Sequence, residues 1–174
     1  MIIKFISIYL FIGVLLLSFM FVNSFVRGKS SYAKAFGALS LTLQVYLLGY
    51  LVEINAGSLQ EMYFWNQVQY SGIPFFPALW LVVSMLYTGK GKYLQGLGGV
   101  IVFTIPVITF LLRLTNDWHH LYYSQIEIQQ FMGVNYMLLT KGPWYFVQTA
   151  YVLITLVLCT WFYFQRYRNS SDGE

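Results

Sequence analysis

The sequence predicts an all-α polytopic membrane protein, a bundle of five transmembrane helices with a small extracellular β-hairpin between helices four and five. Three observations carry this. The 174 residues are 58% hydrophobic and only 9% charged, where a water-soluble domain carries about 25% charged residues. Apolar runs long enough to cross hydrocarbon, which takes about 20 residues of helix, fill most of the chain. The Lys and Arg residues fall almost entirely between those runs or at their ends, and they are concentrated in every second loop.

The first span is read over residues 5–26, which hold no charged side chain. It is too long and too uniformly apolar for a cleaved leader, and no small-residue cleavage site follows it, so it is expected to be retained. The second span covers 33–52 and the third 62–87. Pro74 and Pro77 lie inside the third; each removes a backbone donor, which predicts a doubly kinked helix. The fourth span, 97–114, is expected to be broken at Pro106. The fifth, 142–164, begins with Gly142 and Pro143, and a proline in a first helical turn is normal. Residues 1–168 thus read as one membrane-embedded domain, and 169–174 as a polar tail expected to fray.

Arg27, Lys29 and Lys34, then Lys90 and Lys92, then Arg166 and Arg168 occupy alternate loops and so share one side. Lys4, Arg113 and Lys141 fall on the other, offset by Glu53, Glu61, Asp117 and Glu127. Basic loops stay cytoplasmic, which places the N-terminus outside and the C-terminus inside. The net charge of +4 is accounted for by those loops, and no nucleic-acid partner is expected. The longest external connection, 115–141, alternates apolar and polar residues from Tyr123 to Gln129 and again from Val134 to Leu138, on either side of Phe131-Met132-Gly133. That pattern predicts a hairpin; the alternative is an irregular surface loop.

Polar groups in hydrocarbon normally face the bundle interior or water. Glu61, Trp65 and Gln69 are spaced by four on one face of span three, with Asn66 and Tyr70 beside them. Trp144, Gln148 and Tyr151 repeat the pattern on span five. Glu53 closes span two, and Arg113, Asn116 and Asp117 close span four, followed by Trp118, His119 and His120. All lie in the outer half. They suit an outward-open pocket for a small ligand, or else amides bonding between helices and an interfacial aromatic belt. Arg113 is expected to pair with Asp117, four residues on. Adjacent histidines point apart, so no metal site is expected, and no cofactor either. Cys159 is the single cysteine and has no partner for a disulfide. No nucleophile–base–acid arrangement and no phosphate loop is visible.

Three blocks resemble one bacterial family. They are Trp65-Asn66-Gln67-Val68-Gln69-Tyr70-Ser71-Gly72-Ile73-Pro74 with Pro77, Trp80 and Leu86-Tyr87-Thr88-Gly89; Ile105-Pro106-Val107-Ile108-Thr109 with Thr115-Asn116 and His119-His120-Leu121-Tyr122; and Gly142-Pro143-Trp144-Tyr145-Phe146 with Tyr151. In order and spacing they resemble the N-terminal seven-helix region of bacterial sensor histidine kinases. The resemblance implies a sensory input domain in the bacterial cytoplasmic membrane, in contact with lipid. It implies a cytoplasmic signalling module in cis or in trans (PAS, kinase or diguanylate cyclase) and a homodimer. The chain departs from that pattern by ending after five spans, with no phosphoacceptor or ATP-binding module, so it is expected to be non-catalytic by itself. His119 and His120 are expected outside and cannot be a cytoplasmic phosphoacceptor. The ligand-binding candidates are Glu61, Trp65, Asn66, Gln69, Asn116, His119, Trp144 and Gln148. The alternatives are a small transporter or channel component, disfavoured because no charge lies near mid-bilayer and no inverted repeat is visible, and an accessory membrane subunit.

Overall fold

The computed structural model describes residues 2–131 and 134–171. The chain is mostly helical, with one two-stranded antiparallel sheet. Helix α1 (Ile2–Phe21) runs into a π-helical turn, Val22–Val26. Helix α2 (Ser31–Glu53) starts at Ser30, whose hydroxyl accepts from Ala33 N–H at 3.1 Å. Helix α3 (Leu59–Gln69) and helix α4 (Phe75–Tyr87) follow, then a 3-10 turn at Gly91–Leu94. Helix α5 (Leu97–Leu114), the short α6 (Asn116–His119), strands β1 (Tyr123–Phe131) and β2 (Val134–Lys141), and α7 (Pro143–Ser171) complete the chain.

Among the described residues four helices are each long and apolar enough to cross a membrane: Ile3–Val26, Ser31–Glu53, Leu97–Leu114 and Pro143–Ser170. Their outward faces are greasy. Leu97, Val100 and Ile101 on α5 and Leu153, Ile154 and Val157 on α7 are all exposed, as lipid-facing residues are.

The third expected span is two helices rather than one helix with two kinks. Residues 70–74 form a turn between α3 and α4. Pro74 directly precedes α4 and Pro77 sits in its first turn, where a missing N–H breaks no intrahelical bond. At 1.5 Å per residue, the 11 residues of α3 extend roughly 17 Å and the 13 of α4 roughly 20 Å. Neither alone covers about 30 Å of hydrocarbon, and the two in series do. The turn is pressed against α2: a Cβ on Gly72 would lie 2.3 Å from the Thr42 carbonyl oxygen.

Helix α5 is not broken at Pro106, which lies inside it and is buried. A proline at this position leaves the carbonyl four residues earlier, that of Val102, without its helical donor. The Tyr151 hydroxyl of α7 donates to that carbonyl at 2.7 Å. A neighbouring helix thus supplies the bond that the proline deletes, which hydrocarbon could not.

The ends of the bundle sort as the charge pattern requires. At one end the Arg166 guanidinium donates to the Tyr87 carbonyl, and the Tyr87 ring lies 6.0 Å from Tyr32 and 5.7 Å from Tyr163. These contacts gather the basic loops between α1 and α2 and between α4 and α5 with the end of α7. At the other end Asn55 Nδ2 donates to Ser7 Oγ at 2.9 Å, and the hairpin covers the start of α7. Its strands pair Ile126 with Leu139 and Ile128 with Met137, with an irregularity between Tyr123 and Gln125. The expected turn at Met132-Gly133 lies outside the described residues. So does the tail from 172 to 174; α7 runs past the expected end of span five, through Ser171.

Replacing Tyr151 with Phe leaves the Val102 carbonyl unpaired and is expected to destabilise the bundle by about 1–3 kcal/mol. In a Pro106→Ala background, where the restored N–H reaches that carbonyl, the same change should cost much less. A thermal-unfolding double-mutant cycle in detergent measures the difference, and equal costs in both backgrounds would contradict this assignment.

Candidate functional site

Pro106, Thr109 and Arg113 recur three and four residues apart and form the buried face of α5. Arg113 is 0% exposed. A guanidinium cannot shed its charge, so its burial requires acceptors close by. Nη2 donates to Asn66 Oδ1 at 2.7 Å and Nη1 to the Tyr63 hydroxyl at 3.3 Å. The rings of Tyr63, Tyr70 and Tyr123 lie 4.8, 5.3 and 5.4 Å from the guanidinium carbon, which adds cation–π attraction.

Neither acceptor is a carboxylate, but each leads to one. The Asn66 amide passes a hydrogen bond on, Nδ2 to Glu53 Oε2 at 3.3 Å, and Gln69 Nε2 donates to the same oxygen. The Tyr63 hydroxyl donates to Asp117 Oδ1. The expected direct pairing of Arg113 with Asp117 is therefore corrected: among the described residues Tyr63 stands between them. The physical reason is local. Helix α5 ends at Leu114, and Asp117 belongs to α6, so the four-residue spacing no longer keeps the two on one helical face.

A second chain joins α5 to α7. Trp144 Nε1 donates to Thr109 Oγ1 at 2.9 Å, and that hydroxyl donates to Gln148 Oε1 at 2.8 Å. Two buried donors, Arg113 Nε and Gln148 Nε2, have no hydrogen-bond partner among the described residues.

The hairpin is pinned by Asn116, itself 1% exposed. Its Oδ1 accepts from the backbone N–H of Tyr122 at 3.0 Å and of Tyr123 at 2.9 Å, and its Nδ2 donates to the Tyr123 carbonyl at 2.9 Å. The chain then returns through Gly142, whose N–H donates to the Tyr122 carbonyl at 2.7 Å. A Cβ on Gly142 would lie 2.3 Å from the Leu121 carbonyl oxygen, so the close approach requires glycine. Tyr123 bonds Tyr70 hydroxyl to hydroxyl, and Tyr122 meets the Tyr70 ring edge-on at 5.1 Å. Burial pushes the Tyr122 and Tyr123 phenols up, which keeps both un-ionised.

The residues named from sequence separate into groups. Asn66 and Gln69 join the network around Arg113, while Trp144 and Gln148 belong to the chain through Thr109. Asn116 holds the hairpin, and His119 braces it, Nδ1 accepting from Leu121 N–H at 3.0 Å and Nε2 meeting Thr115 Oγ1 at 3.1 Å. Glu61 is exposed and caps α3, accepting from Gly57 N–H at 3.0 Å. The buried face of α3 is Met62, Asn66 and Gln69; Trp65 lies off it and packs edge-on against Phe64 at 5.5 Å. Sequence reasoning missed Tyr63, Thr109 and Tyr123. The three-and-four spacing of Pro106, Thr109 and Arg113 was the available signal for Thr109.

An open cleft of about 450 Å³ lies beside the network, where Leu59, Gln60 and Tyr63 of α3 face Asp117, His120 and Ile126. Of the sequence-named candidates Asn116 alone is on its lining. Tyr63 and Asp117 therefore belong both to the cleft wall and to the shell around Arg113.

The family model described as the N-terminal 7TM region of histidine kinase matches residues 8–173. No curated protein and no solved structure matches the chain.

Replacing Asn116 with Ala strands two buried N–H groups and a carbonyl, at about 1–3 kcal/mol for each group left unpaired. The expected outcome is faster amide exchange and proteolysis across 123–141 with the helices still protected. Unchanged hairpin protection would show that Asn116 does not hold it.

Proposed function

The chain belongs to the family of N-terminal 7TM regions of histidine kinases, and from that premise we propose that it is a transmembrane input domain that reads a signal at its hairpin end. It crosses the bacterial cytoplasmic membrane five times, with α3 and α4 together making the third crossing. The hairpin and N-terminus are outside, and the C-terminus is inside. The orientation rests on the basic bias of the opposite end, seven Lys and Arg residues against three. Output comes from a cytoplasmic module, in cis or in trans, and the chain itself is non-catalytic. The family's kinases make a homodimer the natural assembly.

The observation that carries the reading is the position of the Arg113 network. It ties the end of α2 (Glu53), the middle and end of α3 (Tyr63, Asn66 and Gln69), the end of α5 and the start of α6 (Asp117) to one charge. Gln69 is the last residue of α3 before the 70–74 turn. Anything that rearranges acceptors around Arg113 moves α3 against α4. Helix α4 in turn holds α7 at the basic end, through the Tyr87 carbonyl and Arg166. A signal shifts such a bundle by binding one arrangement better than the other, and helix shifts in switching proteins are on the order of 1–2 Å.

Gln69→Leu removes a donor from Glu53 while conserving bulk. We expect it to leave insertion intact and to shift the distance between spin labels at Lys92→Cys and Tyr167→Cys by about 1–2 Å. An unchanged distance distribution would sink the relay. For orientation, Gln129→Cys in a Cys159→Ser background should react with an impermeant maleimide on intact cells, and Lys92→Cys should react only after lysis. The reverse pattern would invert the topology.

A further inference from the structure

The network is one positive charge short. By formal charge it holds one guanidinium, Arg113, and two carboxylates, Glu53 and Asp117, while the groups that connect them, Asn66, Gln69 and Tyr63, are neutral. The two carboxylates differ in access. Glu53 is half-buried among the amides of Asn66 and Gln69. Asp117 is exposed, on the wall of the 450 Å³ cleft, a volume within the 300–1,000 Å³ range of small-molecule sites. One Asp117 oxygen accepts from Tyr63; a carboxylate has acceptor capacity for several more donors. Leu59 and Ile126 give the same cleft apolar walls.

We infer that the cleft beside Asp117 binds a small organic monocation, its ammonium on the Asp117 carboxylate and its apolar body against Leu59 and Ile126. The added charge balances the network, and it also acts on it. An ammonium on Asp117 draws electron density from the carboxylate, weakens its hold on the Tyr63 proton, and so alters the acceptor that Tyr63 presents to Arg113. This deepens the input-domain reading and rests on it for its consequence, but the binding itself can be measured separately. The ammonium could belong to a free amine or to a lipid headgroup.

The probe is 2-phenylethylamine, titrated calorimetrically into the full chain in phosphatidylglycerol nanodiscs, with neutral 2-phenylethanol as control. The expected result is amine binding that weakens about tenfold or more in Asp117→Asn, the scale of one hydrogen bond to a charged group. The alcohol should bind at least as weakly as the amine does to that variant. Asp117→Asn keeps an oxygen for Tyr63, so its unfolding midpoint should stay near that of the parent. The inference is overturned if the amine does not bind, if Asp117→Asn binds it equally, or if the alcohol matches it. Repeating the titration with phosphatidylethanolamine in the discs separates the sources: competition assigns the site to a lipid headgroup, and its absence to a free amine, both within the inferred chemistry. Binding lost in Asp117→Asn together with a silent Gln69→Leu would keep this site and overturn the relay; the opposite pair of results would do the reverse.

Discussion

A permanently charged side chain that is wholly buried near the end of an apolar bundle constrains everything around it. Exposed ion pairs contribute about 0–1 kcal/mol, whereas removing one partner of a buried pair costs about 3–5 kcal/mol. Arg113 is on the expensive side of that divide. Its acceptors fix the rotation of α3, because only a face presenting both Tyr63 and Asn66 can satisfy it. They also fix the seating of the hairpin, because the Tyr123 ring belongs to the same shell. The choice of neutral intermediates matters. An amide and a phenol each accept from the arginine and donate to a carboxylate, so the charge is spread across four elements rather than neutralised within one pair. A direct ion pair would be tighter and would connect less.

The second constraint is that no backbone group in hydrocarbon can turn to water. Two local features look like defects and are each completed by a neighbour. Pro106 deletes a helical bond and Tyr151 replaces it. The N–H groups at the start of α7 and just before it have no intrahelical acceptors, and the segment leading into the hairpin offers its carbonyls, Leu121 to Trp144 N–H at 2.9 Å and Tyr122 to Gly142 N–H. Both completions bind α7, and with the Arg166–Tyr87 contact they attach that helix to α5, to the hairpin and to α4.

Much of this was legible in the residues. Long uncharged runs and alternate basic loops locate the helices and sort the ends, because burial and charge placement act on composition that any reader can see. Alternation from Tyr123 to Gln129 shows the hairpin, since the two faces of a strand repeat every second residue. The three sequence blocks lead to the family that the match over 8–173 establishes. The shortfalls have a common cause. Pro74 and Pro77 look like two kinks until Pro77 is seen in a first helical turn, where it disturbs nothing. Glu61 and Trp65 share a helical spacing with Gln69, yet the buried face is set by what Arg113 requires, a partner 47 residues from Asn66. Asp117 lies at the right spacing for Arg113 along the chain, but a helix ends between them. Local pattern reports periodicity; which face wins is decided by contacts between distant segments.

The placement of these residues along the chain has a consequence for biogenesis. During synthesis α2 and α3 leave the ribosome before α5, so Glu53, Tyr63 and Asn66 are already available when Arg113 enters the membrane. The fully buried guanidinium is therefore delivered to acceptors that precede it, and waits only for Asp117 and the hairpin, a few residues later. The Val102 carbonyl faces the opposite situation. Its donor, Tyr151, lies 49 residues downstream and is made after the hairpin, so α5 stays incomplete until α7 arrives. Docking of α7 is thus the step that completes α5, and a chain interrupted before it would present an unpaired carbonyl to lipid or to the machinery that inserts it.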